Sequence, residues 1–323
     1  MAKYLITGIA GFIGSSLARA VLGQGDEVCG IDNLSTGKRE NLVEIISRID
    51  FRKADLLDSD AMNDVCRGVD YVLHQAAIPS VPMSVVDPIG NNRTNIDGTV
   101  NLLVAARDAK VKRVVYAASC SAYGDTPAQR KREDMPPDPL SPYAVAKLAG
   151  EYYMVAFYRC YGLETVCLRY FNVYGPRQDP LSPYSGVLSK FITQMLKGEC
   201  PTIFGDGTQS RDFTYVDNAV QANLLACKAP GAEVAGQVFN VASGTSVDLN
   251  ETFHMLKKLT GYTGRVEYAE ARAGDVKHSL ADLASAETHL GYRPAIDLAE
   301  GLRRTVEWYR QQTKEVAAAY CHD

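Results

Sequence analysis

Residues Thr7 to Gly14 read TGIAGFIG, directly after the apolar run KYLI and directly before the helical pattern SSLARAV. Gly8, Gly11 and Gly14 form a G-x-x-G-x-x-G series at a strand-to-helix junction. Glycines there permit a tight turn and let backbone amides approach a pyrophosphate at a helix N-terminus. An ordinary turn between strand and helix can carry glycines too, so the context decides. The next apolar run, EVCGID, ends in Asp32. That is about the ~20-residue distance at which a carboxylate meets an adenosine ribose. A carboxylate there repels a 2′-phosphate, so NAD is expected rather than NADP.

Outward from this loop, short runs alternate with helical patterns. FRKAD, YVLHQAA, RVVYAAS and ETVCLRYF read as buried strands; NIDGTVNLLVAARDAK carries apolar residues at helical spacing. Such alternation predicts an α/β fold: a Rossmann-type doubly wound parallel sheet with helices on both faces. The regularity ends near Phe171, before the Pro/Gly-rich NVYGPRQDPLSPYSG. Residues 1–171 are therefore expected to form the dinucleotide-binding domain. Residues 172–323 are expected to form a smaller C-terminal α/β substrate lobe, with some segments returning to the first domain.

Composition narrows the classes. The chain has 323 residues, 46% of them hydrophobic, and a net charge of −4 with interspersed signs. No basic stripe marks a nucleic-acid surface, and no apolar run reaches the ~18 residues of a membrane span. The N-terminus lacks the pattern of a secretory signal. The eight cysteines are scattered, with no zinc spacing. They read as reduced thiols of a cytoplasmic protein, with no metal site.

Two further motifs carry chemistry. In YAVAK, Tyr143 and Lys147 stand four apart and share a helix face. A neighbouring ammonium favours tyrosinate, giving a base near neutral pH. The preceding DPLSP recurs before Tyr184, where Leu188 replaces the lysine; only one copy forms the pair. In YAASCSAYGD, the strand through Ser119 ends in small polar groups, Ser119, Cys120 and Ser121. At the C-terminal end of a central strand, small hydroxyls can bond a substrate oxygen and relay a proton to Tyr143.

At Gly8–Gly14, Asp32, Ser119 and Tyr143-x-x-x-Lys147 the chain resembles the extended short-chain dehydrogenase/reductase family. Within it the chain is similar to the nucleotide-sugar 4-epimerases acting on UDP-N-acetylglucosamine and UDP-N-acetylgalactosamine. His74-Gln75-Ala76-Ala77, Arg169-Tyr170-Phe171-Asn172, Gly205-Asp206-Gly207, Arg211-Asp212-Phe213 and Arg272-x-Gly274-Asp275 extend the match almost end to end. The resemblance implies that Gly8, Gly11, Phe12 and Ile13 hold the pyrophosphate. Asp32, Asn33, Thr36 and Gly37 would hold the adenosine ribose, with Asp55 and Leu56 against adenine. Gln75, Ala76, Ala77 and Asn95 would line the cofactor, Phe171 would pack near the nicotinamide, and Lys147 would bond its ribose. Asn172, Arg211, Arg272 and Asp275 would hold UDP, with Val187 and Phe204 at the uridine. Ser80, Ser119, Cys120 and Ser121 would meet the sugar. Ser279 would gate the sugar pocket, its small side chain admitting N-acetyl groups. Two departures stand out: Pro79 where many 4-epimerases have lysine, and Cys120 where close relatives have serine.

The implied activity is reversible 4-epimerisation of UDP-N-acetylhexosamines, with UDP-glucose and UDP-galactose also admitted. Tyr143 and Ser119 would move the 4-hydroxyl proton, a 4-keto sugar would form transiently, and tightly bound NAD would be regenerated. A dehydratase would need an Asp–Glu pair where Cys120 and Ser121 stand, and a decarboxylase a glutamate at Ser121. A UDP-glucuronate 4-epimerase is the nearest alternative. A non-catalytic NAD-binding regulator would dispense with Tyr143 or Lys147. The helices around NLLVAARDA and LAGEYYMVAFYRCYG are expected to pair two copies into a homodimer.

Overall fold

Seven parallel strands form the central sheet of the computed structural model, which describes residues 1–180, 186–271 and 276–320. In chain order they are β1 (Lys3–Thr7), β2 (Glu27–Asp32), β3 (Asp50–Lys53), β4 (Tyr71–His74), β5 (Arg113–Ser119), β6 (Glu164–Tyr170) and β7 (Gln237–Val241). Their spatial order is β7-β6-β5-β4-β1-β2-β3. The chain therefore reverses direction across the sheet between β1 and β4. In a parallel sheet, that reversal leaves a crevice beyond the strand C-termini.

Both faces of the sheet are covered, which is why its strands read as continuous apolar runs rather than alternating ones. Helix α1 (Phe12–Gly23) sends Leu17 and Val21 onto Ile6 and Leu73 on one face. On the other, α2 (Gly98–Asp108) and α3 (Pro142–Tyr161) bring Leu102, Leu103, Met154 and Phe157 onto Leu5, Val72 and Val114. The start of α3 is fixed locally. The Ser141 hydroxyl accepts from the Ala144 N–H (3.2 Å), Pro142 occupies the first turn, and left-handed Gly162 closes the far end.

After residue 171 the chain makes two excursions from the C-terminal edge of the sheet. The first includes α4 (Val187–Leu196). The chain then returns to the sheet: α5 (Val216–Lys228) packs against α1, and β7 pairs with β6. The second excursion includes α6 (Leu249–Thr260); Ala284–Leu290 then packs back onto β7 and α5, and α7 (Leu298–Tyr320) re-enters the lobe. Helices α4, α6 and α7 share a second core around Phe191, Ile192, Phe253, Leu256 and Leu302. No described helix is long and apolar enough to cross a membrane. The seven described cysteines are free thiols.

Candidate active site

The crevice at the strand reversal holds a cavity of about 530 Å³, running along the ends of β1, β2, β4 and β5. Its floor is the Gly8–Gly14 turn. Gly8 has a positive φ of 67°, and a Cβ there would sit 2.8 Å from the Ala76 nitrogen. A Cβ on Gly14 would lie 2.1 Å from the Gly8 carbonyl oxygen. The turn thus brings β1, α1 and the segment after β4 into a contact that only glycine allows. Helix α1 begins there with no side-chain cap and no acidic residue in its first turn. Its opening amides favour an anion.

At one end, Asp32 accepts hydrogen bonds from the Ala10 N–H (2.9 Å) and the Leu34 N–H (2.8 Å). Burial pushes its carboxyl pKa up, against those two bonds. Gly37 leaves the carboxylate open: a Cβ would approach it to 2.7 Å. The Asn33 amide donates to Asp55 at 2.7 Å, and Thr36 and Leu56 complete this end.

At the other end stand Ser119, Cys120 and Ser121, just past β5, with Tyr143 and Lys147 opposite on α3. Ser119 stands beside the Tyr143 phenol on the cavity wall and is the neighbour favouring its ionisation. Ser121 has a buried hydroxyl without a hydrogen-bond partner. Burial pushes the Cys120 thiol up to about 11.

The electrostatics depart from the tyrosinate expected from the YAVAK spacing. Burial pushes the Tyr143 phenol up to about 12, and the same cause brings the Lys147 ammonium down to about 8. Lys147 does share a helix face with Tyr143, but its Nζ donates to the Ala117 carbonyl at 2.8 Å, 4.9 Å from the centre of the Tyr116 ring. Desolvation therefore dominates at the phenol, with Ser119 opposing it, and favours the neutral form in the chain itself.

A second cavity of about 240 Å³ continues from the first, with Asn172, Val173, Gln178 and Gly186 on the walls of both. Val187, Phe204 and Arg211 line it. Asn172 donates to the Asp212 carbonyl at 2.9 Å. The buried Asp212 carboxylate accepts from Ser243, Gly244 and Ala281, tying both excursions together.

The described walls bring Gly8, Gly11, Phe12, Ile13, Gln75, Ala76 and Ala77 together with Asp32 and Tyr143. Four expected residues sit elsewhere. Phe171 is fully buried against Tyr123; successive strand residues face opposite ways, and Tyr170 lines the cavity instead. Asn95 lies behind the wall, its amide bonding the Ile78 N–H (2.8 Å) and the Ile78 carbonyl (3.2 Å). Its part is to hold the segment after β4. Ser80 is spent as a helix cap, accepting from the Met83 N–H at 3.1 Å. Ser279 is buried, with its backbone on Ser210, and neither cavity reaches it. Arg272, Asp275 and Tyr184 lie outside the described residues.

Residues not anticipated from sequence are Tyr170, Lys38 and Arg177. Tyr170 is held by the amides of Asn223 (2.6 Å) and Gln75 (3.2 Å). Lys38 pairs with Asp179 at 2.7 Å across the cavity mouth. No group of His, Cys, Asp and Glu among the described residues is arranged to hold a metal ion.

A glycine-floored crevice, a buried carboxylate at one end and a Ser–Tyr–Lys set at the other define a dinucleotide-dependent enzyme that moves a substrate proton. The residues fit NAD: the cradle at Gly8 and Gly14 would be filled by any Cβ, and Asp32 stands where a hydroxyl pair, not a phosphate, is accepted. The chain belongs to the NAD dependent epimerase/dehydratase family, whose model matches residues 4–242. It is 40% identical over 316 residues to the UDP-glucose 4-epimerase of Mycolicibacterium smegmatis, covering 97% of this chain and 100% of that one. Among solved structures, the UDP-N-acetylglucosamine 4-epimerase of Methanobrevibacter ruminantium, in complex with UDP-N-acetylmuramic acid, superimposes with a TM-score of 0.92. It is 40% identical, with 96% of this chain and 99% of that chain covered. The UDP-glucose 4-epimerase of Thermus thermophilus, complexed with NAD, gives a TM-score of 0.87 at 37% identity, covering 95% and 99%.

Proposed function

We propose that the protein is an NAD-dependent UDP-sugar 4-epimerase, and that UDP-N-acetylglucosamine and UDP-N-acetylgalactosamine are its substrates. The observation that carries this reading is the placement of Ser119 and Tyr143 together on the wall of a cavity that starts at Asp32 and leads, past Asn172, to the cavity of Arg211. When bound, NAD would supply a reversible two-electron acceptor, leaving the net reaction redox-neutral. Tyr143 would take the 4-hydroxyl proton through Ser119 and return it to the 4-oxygen once the 4-keto sugar has presented the other face of carbon 4. With burial holding the phenol near 12, that transfer needs positive charge beside Tyr143. Lys147 contributes one such charge at pH values below about 8.

Asn172, Arg211, Val187 and Phe204 are assigned to the UDP moiety, a guanidinium matching a phosphate in a bidentate fork. The acetylated sugars are favoured by the small side chains Ser119, Cys120 and Ser121, and by the partnerless Ser121 hydroxyl, which an acetamido group would satisfy. Purified protein incubated with UDP-N-acetylglucosamine is expected to yield UDP-N-acetylgalactosamine, followed by NMR. No conversion with NAD supplied, or faster conversion of UDP-glucuronate, would overturn the substrate assignment.

A homodimer and a cytoplasmic setting belong to the same proposal. Val145, Tyr152 and Tyr161 on α3 are at least half exposed, as are nearby Val85, Val86 and Ile89. The α2 leucines Leu102 and Leu103 are spent inside the core, so α3 is the face that pairs. Light scattering that finds only monomer would refute the dimer. Free thiols at the described cysteines suit a reducing compartment.

A further inference from the structure

Arg177 occupies a poor place for an arginine unless something anionic completes it. Its φ is +71°, a left-handed conformation that side chains with a Cβ seldom adopt. The guanidinium is half-buried, and burial together with the nearby Arg19 charge disfavours its ionised form. Asp217 and Glu44 favour the charge from a distance, yet no ion pair to Arg177 forms among the described residues. One amino group donates to the Ser16 hydroxyl at 3.1 Å, on α1 just past its first turn. The Nε is buried and has no hydrogen-bond partner. The Ser16 hydroxyl donates in turn to the Phe12 carbonyl at 3.0 Å, so the guanidinium is tied to the opening of α1.

Both Arg177 and the first residues of α1 line the large cavity, and Arg177 does not line the smaller one. Two sources of positive potential thus line one cavity side by side: the uncapped amides of α1 and the guanidinium held against it. The segment carrying Arg177 is held across the mouth at neighbouring points. Asp179 pairs with Lys38, whose N–H is bonded to the Ala10 carbonyl beside the glycine turn (3.0 Å), and the Tyr309 hydroxyl donates to the Gln178 carbonyl.

We propose that Arg177 is a ligand of the cofactor's pyrophosphate, adding a guanidinium to the anion site at the opening of α1 and so retaining NAD through turnover. The shared chemistry is a diphosphate, which UDP also carries; the cavity walls favour the NAD diphosphate. The proposal depends on cofactor binding alone, so it stands or falls separately from the choice of sugar.

The test is calorimetric titration of the full chain, freed of nucleotide, with NAD, ADP, adenosine and UDP. For Arg177→Gln, NAD and ADP are expected to bind ~10–100-fold more weakly, the loss of one charge-assisted hydrogen-bond pair. Adenosine and UDP are expected to bind as to the parent chain. Arg177→Gly relieves the positive φ, so its nucleotide-free form should melt no lower than the parent chain while losing NAD affinity to the same extent. Arg177→Lys, which keeps the charge but not the fork, should fall between. Unchanged NAD affinity in Arg177→Gln overturns the proposal. So does an equal loss for adenosine and NAD, which would make the residue a structural tie only. A loss for UDP with NAD unaffected assigns the guanidinium to the substrate and also refutes it.

Discussion

Replacing Ser119 by alanine removes the neighbour that opposes burial at the Tyr143 phenol. A hydrogen bond to a charged group contributes about 1.5–3 kcal/mol. At about 1.4 kcal/mol per pKa unit, the phenol rises by roughly one to two units above its value of about 12. Below that pH the phenolate fraction falls in proportion, so kcat should drop ~10–100-fold, with KM moving less because the hydroxyl serves proton transfer. The assay is kcat and KM for Ser119→Ala across neutral to alkaline pH. It is paired with ultraviolet difference titration of the nucleotide-free parent chain against Tyr143→Phe. The sign follows from the raised pKa: the neutral phenol is the folded chain's form, and phenolate appears only as pH climbs toward about 12. A Ser119→Ala enzyme within about 3-fold of parental kcat, against the ~10-fold minimum, would refute the reasoning. So would a Tyr143 that titrates at the ordinary tyrosine value in the free chain.

Three further outcomes follow from the geometry. Gly14→Ala places a methyl group 2.1 Å from the Gly8 carbonyl, so the variant should purify folded but with almost no NAD, read by nucleotide release on heating. Arg169→Met strands the buried Glu151 carboxylate, which accepts two bonds from Arg169 at 2.9 and 2.7 Å. The cost should be about 3–5 kcal/mol by urea unfolding, and adding Glu151→Leu should restore much of it. The His74 imidazole is held neutral by burial, its pKa lowered to about 3. The unfolded chain therefore binds the extra proton first, and stability falls as pH drops from about 6.5 toward 3, by up to ~1.4 kcal/mol per pH unit. His74→Gln should show a shallower acid limb in unfolding at neutral and acid pH.

The sheet was legible because its strands are buried on both faces and separated by helical periods, and the glycine turn because no other residue fits its contacts. Tyr143, Lys147 and Ser119 were legible from spacing and from hydroxyls out of place at a strand end. What spacing could not supply was direction. Lys147 shares a face with Tyr143, yet its ammonium turns to a carbonyl, and the burial that decides the phenol's pKa is a property of the packed molecule. The phase at the end of β6 was equally hidden: Tyr170 and Phe171 are both aromatic, and only the fold shows which faces the cavity. Ser80 and Asn95 were polar residues in the right neighbourhood, drawn off by backbone groups that needed them. Arg177 gave no signal, because nothing in GPRQ announces a left-handed arginine.

Both excursions that build the lobe leave the sheet from Tyr170 and Val241, which are register partners on adjacent strands. That line is therefore one mooring of the lobe, and the ties of Asp179 to Lys38 and of Arg177 to Ser16 are others. Residues beside that line, Asn172 among them, are positioned by the sheet itself. Ser119, the register partner of Tyr170, belongs to the same strand ends, so the alignment of the proton-handling groups is set by the sheet and not by the lobe.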